Sequence, residues 1–159
     1  MSLLRVLPLC ALVVVSACGG SRSVSSSGSS GGGGGDGQYT AQVQGYLDRL
    51  ESNSRNQGFN RIAAGPVFGS LDRGARATHT LTVAGGTSYV IFGACDNDCT
   101  DVDLKILDAS GNTVMQDIAV DDRPVLLFTA RNSGKYRVEV IMASCSANPC
   151  RYGVQLMAR

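Results

Sequence analysis

Tyr136-Arg137-Val138-Glu139-Val140-Ile141-Met142 sets the fold class, because successive side chains alternate between two faces. Tyr136, Val138, Val140 and Met142 fall on one side of an extended chain, and Arg137 and Glu139 on the other. That is the period of a half-buried strand. The period recurs upstream. Ala77 to Val83 places Thr78, Thr80 and Thr82 on one face and Leu81 and Val83 on the other, and Val102-Asp103-Leu104-Lys105-Ile106 turns Val102, Leu104 and Ile106 inward. Tyr89-Val90-Ile91-Phe92 is apolar on both faces, as a strand covered on both sides would be. Val114 to Val120 is a short, ragged candidate, Val125-Leu126-Leu127-Phe128 follows Pro124, and Tyr152-Gly153-Val154-Gln155-Leu156 comes last. Gly85-Gly86, Ser110-Gly111-Asn112 and Asn132-Ser133-Gly134 mark turns between them. About seven to eight short strands joined by hairpin loops predict a mainly β chain, an antiparallel β-sandwich of jelly-roll or related topology. The chain has no tryptophan and its cysteines sit at strand ends, so an immunoglobulin-type pin between the sheets is not expected.

Before the strands the period changes. Tyr39, Val43, Tyr46, Leu47 and Leu50 recur at helical spacing, with Gln, Asp, Arg and Glu between them. They predict one amphipathic helix over about 39–56, capped by Gly58, with its apolar stripe packed on the domain or on a partner. Helix and connector then occupy 38–64 and the sandwich 65–159.

The first 37 residues follow different rules. Arg5 precedes an apolar run from Val6 to Val15, too short to span a bilayer as a stable helix and shaped like a secretory signal. Val15-Ser16-Ala17-Cys18 ends it and resembles the lipobox of bacterial lipoproteins. The resemblance implies cleavage of residues 1–17 and a diacylglycerol on the Cys18 sulfur, a membrane anchor through lipid. Gly19 stands where an aspartate in that family tends to retain a protein at the inner membrane, which points to the outer membrane. Residues 18–37 are almost all Gly and Ser and cannot bury enough apolar surface to offset their chain entropy. They predict a disordered leash of about 25 Å root-mean-square span.

Arg5 apart, basic and acidic side chains balance at 13 each, with no basic stripe for nucleic acid. Setting aside Cys10 and Cys18, four cysteines remain: Cys95, Cys99, Cys145 and Cys150. In an exported chain they read as disulfides; three connectivities are open, and spacing favours two local bridges, Cys95–Cys99 and Cys145–Cys150. A zinc site of four thiolates is the rival reading, disfavoured by the oxidising compartment and the spacers.

Material for catalysis is thin. The chain has one histidine, His79, whose parity with Leu81 and Val83 points it towards the core, and no Gly-x-Ser-x-Gly elbow supplies a nucleophile. The aspartates are denser. Asp96, Asp98, Asp101 and Asp103 lie within Cys95–Asp103, and Asp121 and Asp122 follow in a loop that strand alternation brings to the same end, with 94–101 and 143–151. Converging carboxylates are how sandwiches offer oxygens to calcium, so these six are the candidate ligands. Solvated turn acids are the competing reading.

One further likeness spans about residues 65–157. Gly69-Ser70-Leu71, Thr78–Val83, Ala84-Gly85-Gly86-Thr87-Ser88-Tyr89, Asp101-Val102-Asp103-Leu104, Asp108-Ala109-Ser110-Gly111 and Gly134-Lys135-Tyr136-Arg137-Val138-Glu139-Val140 together resemble the bacterial pre-peptidase C-terminal domain. The resemblance implies a small β-sandwich of the kind appended to secreted proteases and collagenases. The paired cysteines, and the lack of a protease before the domain, depart from that family and speak against a protease-accessory role. The expected function is therefore a non-catalytic, lipid-anchored envelope protein whose sandwich contacts another protein or the cell wall. The alternative is a calcium-dependent glycan- or peptide-binding module using the Asp- and Cys-rich loops.

Overall fold

Eight strands follow one helix along residues 34–159, the part of the chain that this computed structural model describes. The signal segment, Cys18 and the leash up to residue 33 lie outside the described residues. The elements are α1 (Gly34–Asn56), β1 (Arg61–Leu71), β2 (Arg76–Val83), β3 (Ser88–Cys95), β4 (Cys99–Leu107), β5 (Thr113–Asp117), β6 (Val125–Thr129), β7 (Gly134–Cys145) and β8 (Cys150–Ala158).

The strands pair as a nested set, β1 with β8, β2 with β7, β3 with β6 and β4 with β5, all antiparallel. Such a chain is one long double ribbon folded back at the β4–β5 turn. Rolled up, it gains two further pairings, β3 with β8 and β4 with β7. Two four-stranded sheets result, sheet I in the order β1-β8-β3-β6 and sheet II in the order β2-β7-β4-β5. This is the jelly-roll arrangement of two interlocked Greek keys. The expectation of hairpin loops fails for a topological reason. Only β4–β5 joins neighbours in one sheet, and every other connection between consecutive strands arches from one sheet to the other.

The inward sets of both sheets form the core, including Ile91, Leu104, Ile106, Val138, Val140 and Leu156. β3 is buried on its outer face too, as its unbroken apolar run requires. There α1 is the cover: Val43 and Leu47 are fully buried against Val90, Phe92, Ala94, Phe59 and Met157. The helix sits this close because β8 carries Gly153. A Cβ there would stand 2.8 Å from Leu47 Cδ1 and 3.0 Å from Val43 Cγ1. After Asn56 the chain turns at Gly58, and the Phe59 N–H donates back to the Ser54 carbonyl at 3.1 Å.

Two boundaries move. The helix starts at Gly34, so 34–37, read as part of the leash, are helical. Once the docked turns exist, each added residue gains a hydrogen bond for fixing only its own dihedrals, and composition alone does not show that. The sandwich starts at Arg61 rather than at residue 65. β1 is an edge strand with irregular pairing between Ile62 and Val67, and its exposure does not alternate, so it leaves no period-two signal. The ragged run at 114–120 is a strand only to Asp117, which leaves Ile118 and Val120 in a loop.

Candidate functional site

Three loops and the helix meet at one end of the sandwich. The Cys95 N–H donates to the Asp122 carbonyl at 3.2 Å, the Val102 N–H to the Asp121 carbonyl at 3.0 Å, and the Ser146 N–H to the Asp98 carbonyl at 2.7 Å. Loops 94–101, 119–123 and 143–151 thus converge as the alternation of strands predicts. Both disulfides are here, Cys95–Cys99 and Cys145–Cys150, with the favoured connectivity. Cys99 stands directly opposite Cys145 in the β4–β7 ladder. Each bond is local in sequence yet joins a strand of sheet I to one of sheet II. The cysteines stand at strand ends as the sequence indicates, so there is no immunoglobulin-type mid-strand pin among the described residues, but both bonds do cross between the sheets at their ends. Disulfides of this kind belong to a domain that folds outside the reducing cytoplasm.

Asp96 lies inside this end, 1% exposed. Its backbone N–H donates to the Arg151 carbonyl at 3.0 Å and its Oδ2 accepts from the Arg151 N–H at 2.7 Å, carrying the β3–β8 ladder past the cysteine. Oδ1 is buried with no hydrogen-bond partner. Burial, and the charge of Asp98 after it, push the Asp96 carboxyl above its usual range.

The helix holds the same loop from outside. Tyr46 Oη donates to Asn97 Oδ1 at 2.7 Å, and the Asn97 N–H donates to Gln42 Oε1 at 3.0 Å. Tyr39 bonds to the Asp98 side chain, whose charge raises the phenol's pKa. Arg151 lies over the Tyr39 ring at 5.9 Å and Arg123 over the Tyr46 ring at 5.4 Å. Tyr39, Gln42 and Tyr46 are one helical stripe. In the sequence the two tyrosines read as apolar packing, so their polar tips, which do the clamping, are invisible there.

The six candidate aspartates do not form one centre. Asp96 and Asp98 face β8 and the helix. Asp101 and Asp103 share the outer face of β4, as their parity predicts, near Asp121 and Asp117. Burial raises both of their pKa values, and the next cause is Asp121 for Asp101 and Asp101 for Asp103. Asp121 Oδ1 accepts from the Arg123 N–H, and Asp122 pairs with the Arg123 guanidinium at 2.9 Å. Among the described residues no three His, Cys, Asp or Glu side chains are arranged to hold a metal ion. The donor set does not fit calcium as a single cradle, which needs six to eight oxygens around one point.

His79 points inward as expected, its Nε2 2.9 Å from Tyr152 Oη, and burial lowers its pKa. The residues that sequence reasoning passed over are apolar. Ile118 is 57% exposed and Val120 86%, in the loop after β5, while Val125 at 45% and Leu127 at 48% stand on the outer face of β6. The absence of any charge between Pro124 and Ala130 is the signal that could have found Val125 and Leu127; Ile118 and Val120, next to Asp121, Asp122 and Arg123, carry no such signal.

No protein-family model matches the chain, and no curated protein matches it. Among solved structures it is similar to a periplasmic lysozyme inhibitor of g-type lysozyme from Aeromonas hydrophila, at 11% identity over 63% of this chain and 89% of that one, with a TM-score of 0.49. It is also similar to the pre-peptidase C-terminal domain of a collagenase from Bacillus anthracis, at 19% identity over 58% and 87%, with a TM-score of 0.48. A third is the CBM36-1 domain of a multidomain xylanase from the hindgut metagenome of Trinervitermes trinervoides, at 18% identity over 63% and 90%, with a TM-score of 0.32. Likenesses this distant carry no functional argument.

Proposed function

We propose that this chain is a non-catalytic, lipid-anchored protein of the cell envelope, tethered at the outer membrane through Cys18. Its sandwich, of the pre-peptidase C-terminal type its sequence resembles, meets a protein partner with the stretch Ile118–Leu127. The observation that carries the reading is that four large apolar side chains, Ile118, Val120, Val125 and Leu127, stay in water along one stretch of chain. Apolar surface costs about 25 cal/mol per Å² to leave in water, and clustered exposure of this sort marks contact sites. The loop is held by the Asp121 and Asp122 carbonyls, so little order has to be gained on binding.

The four sheet edges differ in a way that favours β6. β1 is broken by irregular pairing around Pro66, β2 carries Arg76, and β5 ends in Asp117. Such features discourage strand addition. β6, Val125–Thr129, has no charged residue of its own, and the Asp117 carboxylate accepts from the Val125 N–H at 3.0 Å only where the strand begins. The Ala130 N–H bonds into β3, so by ladder parity Leu127 and Thr129 turn their backbone groups to the open edge. An extended partner segment adds there by main-chain pairing. With the chain's one histidine paired to Tyr152, no free imidazole serves as a general base, which favours binding over turnover.

The test places a photo-crosslinking residue at Val120 in the lipidated protein in cells, with and without Leu127→Lys. The expected result is one discrete adduct that falls about tenfold or more with the edge charge, while the melting temperature holds, since exposed substitutions cost within about 0.5 kcal/mol. An adduct unchanged by Leu127→Lys contradicts the reading. Cys18→Ser is expected to move the chain to the soluble fraction.

A further inference from the structure

At the end of the sandwich away from the disulfides, a cleft of about 370 Å³ opens between two turns. One wall is the β4–β5 turn with Asp108, Asn112, Thr113 and Val114, the other is Thr129, Arg131 and Asn132, and buried Tyr136 lies beneath. The volume falls within the range of small-ligand sites.

Both walls are fixed from within the protein. Asp108 Oδ1 accepts from the Ser110 and Asn112 N–H groups, each at 2.9 Å, and Oδ2 from Asn112 Nδ2 at 3.2 Å. These bonds hold the Asp108 carboxyl below its usual range, so it is ionised and committed to its turn. Opposite, the Gly85 N–H donates to Ser133 Oγ at 2.8 Å, the Gly86 N–H to the Ala130 carbonyl at 2.8 Å and the Ala130 N–H to the Thr87 carbonyl at 3.1 Å. Tyr136 Oη donates to the Asn132 carbonyl at 3.4 Å. The backbone on both sides of Arg131 is therefore pinned.

What the turns leave uncommitted is Arg131. The ion pairs Arg55–Glu51 and Arg123–Asp122 do not involve it. A guanidinium presents a planar fork that matches a carboxylate with two parallel hydrogen bonds. Arg137 approaches the same turn beside Gly111, and Asp108 opposes with one fixed negative charge. That balance suits a single negative charge and works against a phosphate dianion.

We infer that this cleft binds a small carboxylate-bearing ligand, with Arg131 clamping the carboxylate and Asn132 and Thr113 meeting the polar groups beside it. The carboxylate has two natural sources at a cell envelope, an acidic sugar and the C-terminus of a peptide. The inference does not rest on the β6 reading: Thr129 ends β6 and also lines this cleft, but the clamp is Arg131, beyond the strand.

The experiment is an amide-resolved NMR titration of the 34–159 domain within the full soluble chain carrying Cys18→Ser. The probes are glucuronic acid, N-acetyl-alanyl-alanine and that dipeptide's C-terminal amide, each to about 20 mM, since single-site carboxylate clamps bind in the millimolar range. Shifts are expected at Thr113, Val114, Thr129, Arg131 and Asn132 with one or both acids and none with the amide. Response to the sugar alone assigns an acidic sugar, to the dipeptide alone a peptide terminus, and to both a site that reads the carboxylate itself. Arg131→Ala is expected to weaken binding about tenfold or more and Arg131→Lys by less, with unchanged far-UV circular dichroism. The inference is overturned by no localised shifts with either acid, by equal response to the amide, or by binding that survives Arg131→Ala.

Discussion

The two ends of this sandwich are held by different means. At one, two covalent bonds cross between the sheets, a carboxylate is buried, and three side chains of α1 clamp the loop above it. At the other, turns close on their own hydrogen bonds and leave an arginine uncommitted. The end with the conspicuous residues is thus the one where most polar groups are already engaged by the protein itself, Asp96 Oδ1 and Asp101 Oδ1 being the buried exceptions. Cysteines and aspartates drew attention in the sequence because they are chemically loud, yet here they fasten. The surfaces with free capacity, the Ile118–Leu127 stretch and the Arg131 cleft, are built from ordinary residues in positions only the fold makes unusual.

The sharpest way to break this contrast is to remove the covalent staples. Replacing all four of Cys95, Cys99, Cys145 and Cys150 by alanine is expected to cost about 2 kcal/mol for each short bridge by loop entropy, or about 4 kcal/mol together. Urea unfolding checks it. Amide exchange is expected to quicken at residues 95–99 and 145–151 and to hold at 108–114; equal loosening at both ends would erase the distinction.

Next comes the helix. Leu47→Ala removes a fully buried side chain seated over Gly153, at an expected cost of about 2–4 kcal/mol. Exchange is expected to rise across α1 and at Asn97, whose backbone N–H bonds to Gln42, while β7 amides stay protected. A global loss of protection in β7 would mean that α1 is part of one cooperative core rather than a cover.

The smallest effect concerns the buried acid. The Asp96 pKa is raised in the folded state, so its contribution to stability is fully present below the unfolded value of about 4 and is lost as pH rises through the folded value. Asp96→Asn removes that dependence. The melting-temperature difference, variant minus wild type, is expected to increase from about pH 4 to pH 7. A difference flat in pH would show that Asp96 ionises in the fold as it does in the open chain.

How much of this could be read beforehand depends on whether the signal was local. The strands of the inner sets were legible because alternation records burial directly, and β3 announced that something covered it. The identity of the cover was legible too, since Val43 and Leu47 keep helical spacing. β1 was not, because an irregular edge strand has no period. The inter-sheet course of the disulfides was hidden as well. Cys95 and Cys99 are four residues apart whether their loop is a hairpin or an arch, and only the rolled topology distinguishes the two. The same reason scattered the aspartates: proximity in sequence put Asp98 and Asp101 together, and the crossing from sheet I to sheet II set them on different faces.

Partner contact is expected along Ile118–Leu127 and the β6 edge, and not at the helix-clamped loop around Asn97. The deciding experiment places the same photo-crosslinking residue at Leu127 and, separately, at Asn97 of the intact lipoprotein in cells. We expect a discrete envelope-protein adduct from position 127 and none from position 97; an adduct from position 97 with none from 127 would overturn the reading.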